Sequence, residues 1–151
     1  MRTFLICNIL LIVLLFSCAP RQRQKKIEEK PKPKISATVV VDQFLSALKR
    51  KDLQTAYERV HIISSDREGY INRLEAVYRD YDIQIVDYKL LATQLYKEAA
   101  IIVAEIEVDF KSPNTTERIK KTYRNRYDLS IFGSVWKITK DECIENCTDS
   151  F

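Results

Sequence analysis

The chain has 151 residues, of which 46% are hydrophobic and 30% charged, an ordinary globular balance with room for one domain. Two glycines and one histidine, His61, exclude a glycine-rich phosphate loop and a multi-histidine metal site. The net charge of +4 is uneven. Residues 19–35 carry seven basic and two acidic residues, whereas residues 36–151 carry 17 basic and 19 acidic ones. The folded part is therefore close to neutral, which argues against a nucleic-acid-binding domain. No cofactor is predicted.

The first segment, Met1–Ser17, has the pattern of a secretory signal peptide, with Arg2 followed by an apolar stretch. This stretch is too short to span a bilayer, which takes ~20 residues. The following Leu15-Phe16-Ser17-Cys18 resembles the bacterial lipobox. The resemblance implies cleavage before Cys18 and lipidation of its thiol, and two or three acyl chains anchor a protein firmly. The alternative is an uncleaved N-terminal helix in which Cys18 is an ordinary thiol.

We therefore expect a protein attached to a membrane surface through lipid on Cys18. Ala19 stands where many inner-membrane lipoproteins have aspartate, so the outer membrane is favoured if the host is Gram-negative. Residues 18–35 form the lipidated cysteine and a basic tether, in which Lys-Pro-Lys-Pro-Lys is extended and solvated. The tether is interpreted as a spacer. The alternative is contact between its basic residues and anionic headgroups.

Three helices are predicted next. Ser36 caps the first, which carries an amphipathic stripe, and Asp52 caps a shorter second one. Ser65 and Glu68 have the spacing of a capping box at the start of the third. The predicted stripe of the first helix is Ala37, Val41, Phe44, Leu45 and Leu48, and that of the third is Tyr70, Ile71, Leu74, Val77, Tyr78 and Tyr81.

Four strands follow, because the hydrophobic period changes after Asp82. Their predicted ranges are Ile83–Leu95, Ala99–Phe110, Glu117–Phe132 and Ser134–Lys140. Apolar and acidic residues alternate in the second strand.

In the middle hairpin we expect Phe110 opposite Glu117, which sets Asp109 against Arg118 and Glu107 against Lys120. The basic residues of the third strand are then a solvated, partly paired face, and an RNA or phosphate site is the alternative. They are Arg118, Lys120, Lys121, Arg124 and Arg126.

Helices followed by strands predict an α+β fold, with three N-terminal helices packed on a curved four-stranded antiparallel sheet. Residues 36–141 resemble a nuclear transport factor 2-like, or cystatin-like, domain, as found in small bacterial lipoproteins of unknown function. The residues that carry this resemblance are Val39, Phe44-Leu45, Ala47-Leu48, Asp52, Ala56-Tyr57, Tyr127-Asp128-Leu129 and Trp136-Lys137-Ile138.

The resemblance implies a pocket between the helices and the sheet. Candidate lining residues are Tyr57, His61, Tyr70, Tyr123, Tyr127 and Trp136. Core packing is the alternative for the aromatic side chains, and capping or packing for the histidine. No catalytic residue is assigned, since the orientations of Asp82, Asp87 and Asp128 depend on bulges.

These patterns favour an envelope lipoprotein that binds a small apolar ligand or another envelope protein without catalysis. The alternatives are an isomerase- or cyclase-like enzyme that uses the same pocket, and a domain that only spaces a surface assembly. A desolvated carboxylate within hydrogen-bond reach of pocket tyrosines would favour the enzyme.

Four cysteines are present, and two have been accounted for once Cys7 is removed with the signal and Cys18 is lipidated. Cys143 and Cys147 remain in a C-terminal tail, residues 142–151. In an oxidising compartment we expect them to form a disulfide. Two thiols alone are a poor metal site, and no metal is predicted.

Overall fold

The computed structural model describes residues 32–61, 66–111 and 115–147. The predicted signal peptide, Cys18 and most of the predicted tether lie outside these ranges. The elements are α1 (Ala37–Lys49), α2 (Leu53–Tyr57), α3 (Arg67–Tyr81), β1 (Gln84–Leu95), β2 (Ala99–Lys111), β3 (Arg118–Phe132) and β4 (Val135–Glu145). The predicted α+β fold class is confirmed. No helix in the described part of the chain is both long and apolar enough to cross a membrane.

The helix starts follow from capping side chains. Ser36 Oγ accepts a hydrogen bond from the backbone N–H of Val39, and Asp52 Oδ1 accepts one from Thr55, as the sequence predicts. The predicted cap of α3 was wrong. Asp66 takes this role instead, because its carboxylate accepts the N–H of Gly69 at 2.8 Å. Ser65 lies outside the described residues.

The sheet is antiparallel in the order β1-β2-β3-β4. The predicted register of the middle hairpin was wrong by two residues, since Phe110 lies opposite Ile119 and Lys111 opposite Arg118. A shift of two keeps every side chain on its predicted face, because side chains in a strand alternate with period two. The β3–β4 turn contains Gly133, whose φ of 65° suits a residue without a Cβ.

Opposite charges cover the outer face of the sheet, as predicted. Arg118 pairs with both Asp109 and Asp82, Lys120 with Glu107, and Arg124 with both Glu105 and Glu145. Arg126 pairs with Asp128 at 2.8 Å. The pairs Arg118–Asp109 and Lys120–Glu107, which were predicted to lie directly opposite each other, form between diagonal positions of β2 and β3. Four of the five basic residues therefore form a paired, solvated outer surface, whereas Lys121 is exposed on the inner face, opposite Val108.

The core lies on the other face, between the sheet and α1. In β2 every second residue from Ala100 to Phe110 is buried. Val40, Val41 and Leu45 of α1 are completely enclosed. The backbone of residues 59–61 bonds to Ile138, and this contact holds the segment after α2 against β4.

Candidate functional site

An open cavity of about 440 Å³ lies between the helices and the inner face of the sheet. This volume is within the range of ~300–1,000 Å³ that is usual for small-molecule sites. One part of the wall is aliphatic and the other polar or aromatic. The aliphatic part consists of Leu45, Leu48, Leu74, Val77, Ile83, Ile85, Ile106 and Val108, and the remainder of Tyr78, Tyr123, Asn125, Tyr127, Asp141 and the two cysteines Cys143 and Cys147.

Helix α3 forms the side of the cavity opposite the sheet. Only Tyr70 and Ile71 of its predicted apolar stripe are buried, at the start of the helix. The rest of the stripe is half-buried because Leu74, Val77 and Tyr78 face the cavity instead of a filled core. The apolar surface of α3 is therefore available to a ligand.

A β-bulge places Asp141 in the cavity wall. Trp136 and Ile138 of β4 point into the core, so regular alternation would bring Lys140 to the inner face. Thr139 is an extra residue at this point, because Ile138 pairs with Leu129 and Lys140 pairs with Asp128. The alternation is shifted by one residue, and Asp141 lies opposite Tyr127.

The Thr139 hydroxyl donates a hydrogen bond to the carbonyl oxygen of Asp128 at 3.1 Å, and this bond holds the bulged residue. The predicted end of the fourth strand at Lys140 was wrong for the same reason. The strand continues past the bulge to Glu145 and includes both Asp141 and Cys143.

Asp141 is the only charged residue among the described residues that line the cavity. The residue is exposed where the cavity opens, and the cavity wall shields part of its carboxylate from solvent. This partial desolvation raises the pKa of Asp141 to about 6, and a hydrogen bond from Asn125 Nδ2 to its Oδ1, at 2.8 Å, opposes the rise. Asp141 makes no ion pair with any described residue.

Asn125 connects this carboxylate to a buried tyrosine. Its Nδ2 also lies 3.5 Å from the Tyr127 hydroxyl oxygen, whereas its Oδ1 is buried and makes no hydrogen bond within the described ranges. Burial and the nearby Asp141 charge both raise the pKa of Tyr127 and of Tyr123. These phenols stay protonated at neutral pH.

Tyr78 completes the aromatic part of the wall. Its hydroxyl donates to the Leu48 carbonyl oxygen at 3.1 Å, and burial raises its pKa to about 12. The Lys51 ammonium lies 5.5 Å from the centre of its ring. Tyr78 thereby links α3 to the end of α1.

Of the six predicted lining residues, the cavity wall includes two, Tyr123 and Tyr127. The other four are not among the described lining residues of this cavity. Tyr57 and Tyr70 pack against each other with ring centres 5.5 Å apart, where α2 meets α3. Trp136 is buried in the core, and exposed His61 stacks on Phe132 at 4.0 Å.

Cys143 and Cys147 form a disulfide in the cavity wall, with Cα atoms 5.7 Å apart. The bond joins the end of β4 to the residues that follow it. Cys143 lies two residues from Asp141 on the same face of the strand. Within the described part of the chain, no group of three or more histidine, cysteine or acidic side chains is placed to hold a metal ion.

Neither a protein-family profile nor a curated protein sequence matches the chain. Solved structures do match its fold. A ketosteroid isomerase-like protein from Erwinia carotovora atroseptica has a TM-score of 0.60 at 10% identity, over 74% of this chain and 94% of its own. A nuclear transport factor 2-like protein from Cytophaga hutchinsonii has a TM-score of 0.54 at 15% identity, over 72% of this chain and 93% of its own.

A third match is a protein of unknown function with a cystatin-like fold from Nostoc punctiforme. Its TM-score is 0.53 at 8% identity, over 70% of this chain and 85% of its own. At such low identity these likenesses concern the fold alone. The fold of this chain is nuclear transport factor 2-like, and the chemistry of its cavity has to be argued from its own residues.

Proposed function

We propose that this chain is a lipid-anchored protein of a bacterial envelope whose domain binds a small, largely apolar molecule in the cavity. The observation that carries the proposal is the open cavity itself, with aliphatic walls and one polar group of side chains. A domain that served only as a spacer would have no need of this unfilled volume, since protein interiors are normally close-packed.

The anchor in this proposal rests on the sequence from Arg2 to Cys18. Residues 19–35 would then connect the lipid to α1. Seventeen fully extended residues span at most about 60 Å, so the cavity would be free to meet molecules at or near the membrane.

Ligand binding is tested by native mass spectrometry of the full chain, isolated from its own cells in lipid nanodiscs. We expect a retained molecule of defined mass. In Leu74→Trp the indole would occupy part of the cavity, and the mass should disappear. Glu75→Trp, on the exposed side of the same helix, should keep it. Loss from neither variant, or no retained mass in the wild type, would contradict the proposal.

The anchor has a separate test. Cys18→Ser should accumulate unprocessed precursor and should not incorporate labelled palmitate. Cys143→Ser, which changes a cysteine of the domain, should be labelled like the wild type. Palmitate incorporation into Cys18→Ser would exclude Cys18 as the site of lipidation.

An isomerase- or cyclase-like enzyme is a second candidate, favoured by one observation. Asp141 is a partly desolvated carboxylate with a pKa near 6, and Asn125 lies between it and Tyr127. A β,γ-unsaturated ketosteroid is a suitable test substrate, because its conjugated product is seen by ultraviolet absorbance. Isomerisation that is lost in Asp141→Asn but kept in Asp128→Asn would support the enzyme. Equal rates with and without protein would exclude this reaction.

A further inference from the structure

We propose that the cavity selects a cationic molecule, an ammonium group on an apolar body, and that Asp141 is the residue that determines this specificity. The inference rests on the proposed ligand-binding function and adds the chemical class of the ligand. It follows from the distribution of charge and hydrogen-bond acceptors over the wall.

The first step concerns charge. Asp141 contributes one negative charge to the wall when ionised, and no Lys, Arg or His is among the described lining residues. Carboxylates elsewhere on this sheet have cationic partners, as Asp109 has Arg118 and Glu105 has Arg124. Asp141 has none within the described ranges, so its charge is available to a ligand. An anionic ligand would be repelled, because no cation in the described wall offsets the charge of the Asp141 carboxylate.

The second step concerns hydrogen bonds. Asn125 Nδ2 already donates to Asp141 Oδ1 and to the Tyr127 hydroxyl oxygen. The acceptor that remains is the second carboxylate oxygen of Asp141, since the amide oxygen of Asn125 is enclosed by protein. An ammonium group brings three donors and no acceptor, which complements this carboxylate. A wholly apolar ligand would desolvate Asp141 without replacing the lost water.

The third step concerns the surroundings, element by element. Helix α1 contributes only the uncharged Leu45 and Leu48 to the wall, and the wall also includes tyrosine rings, a type of group whose face attracts cations. The titratable groups around Asp141 are Tyr70 and Tyr78 on α3, with Arg73 beside Tyr70, and Tyr123 and Tyr127 on β3, while Lys51 lies over the ring of Tyr78.

Three probes with one carbon skeleton test the inference: cyclohexylmethylammonium, cyclohexylmethanol and cyclohexanecarboxylate. Binding to the full chain in nanodiscs is measured by calorimetry at pH 7.5, with empty nanodiscs subtracted. We expect the ammonium to bind about tenfold more tightly than the alcohol, as for a charge-assisted hydrogen bond. The carboxylate should bind more weakly than the alcohol. Asp141→Asn should abolish the preference for the ammonium, and Asp128→Asn, which changes an aspartate on the outer face, should retain it.

The pH dependence of the wild type gives a test that needs no variant. The ammonium stays protonated throughout, so its advantage over the alcohol should shrink as the pH falls from 7.5 to 5 and Asp141 takes up a proton. Alcohol binding as tight as ammonium binding, or a preference that survives in Asp141→Asn, would overturn the inference and leave ligand binding standing. If no probe binds and native mass spectrometry finds no retained molecule, the proposed function itself fails.

Discussion

Asp141→Asn should make the folded chain more stable at neutral pH, which would reveal a carboxylate kept for binding. The folded chain holds the pKa of Asp141 at about 6, compared with the usual 3.8. Because the pKa is higher in the folded chain than in the unfolded one, folding favours the protonated carboxyl of Asp141. The stability that this protonation contributes is fully present below pH 3.8 and is lost as the pH rises through about 6. Asparagine removes this loss, and its side-chain oxygen can still accept the hydrogen bond from Asn125.

The size of the effect follows from the same two values. Such a difference in pKa corresponds to at most about 3 kcal/mol. Water in the cavity screens the carboxylate, so we expect about 1 kcal/mol, or a rise in Tm of about 4 °C.

Thermal unfolding of wild type and variant by circular dichroism, at pH 7.5 and at pH 3.5, checks this. The gain should be present at pH 7.5 and absent at pH 3.5, where Asp141 is protonated. Asp128→Asn is the control and should give no gain, because it removes a carboxylate that pairs with Arg126 at 2.8 Å. An equal gain at both pH values, or none at pH 7.5, would refute the reasoning about desolvation.

The remaining predictions concern the framework of the site. Ile102→Ala removes a fully buried side chain and should lower the free energy of unfolding by about 3 kcal/mol in urea titrations. Ile101→Ala, on the outer face, should lower it much less, and equal losses would contradict the assignment of faces. Gly133→Ala should cost about 1 kcal/mol in the same assay and Gly133→Asn less, because φ is 65° and no atom lies near the added Cβ; equal effects would count against a backbone origin. The double variant Cys143→Ser with Cys147→Ser should lower the free energy of unfolding by about 2 kcal/mol relative to the oxidised wild type. The reduced wild type should match the variant. An unchanged urea midpoint would show that the disulfide does not stabilise the fold.

The sequence predicts most of the fold because local signals agree with the tertiary structure. Ser36 and Asp52 cap helices as expected, and the alternation in β2 places Ile102 and Ile106 in the core. The register of the β2–β3 hairpin was missed by two residues. The ion pairs used to choose it also form diagonally, as between Arg118 and Asp109, so they do not distinguish the two registers.

The candidate site was predicted only in part. Tyr123 and Tyr127 follow the alternation of β3 and lie in the wall, but Asp141 and Asn125 were missed. The orientation of Asp141 depends on a bulge at Thr139, which no proline or glycine marks in the sequence. A prediction that allowed one extra residue after Ile138 would have brought Asp141 to the inner face.

The bulge at Thr139 has a consequence for how such cavities change during evolution. Lys140 and Asp141 are adjacent residues of opposite charge, and the position of one unpaired residue decides which of them the cavity presents. If the bulge were moved past Asp141 along β4, Lys140 would take the inner position and the polarity of the site would be reversed without any replacement of these two side chains. Ligand preference in this fold can therefore diverge through insertions and deletions in a strand, in addition to substitutions in the wall.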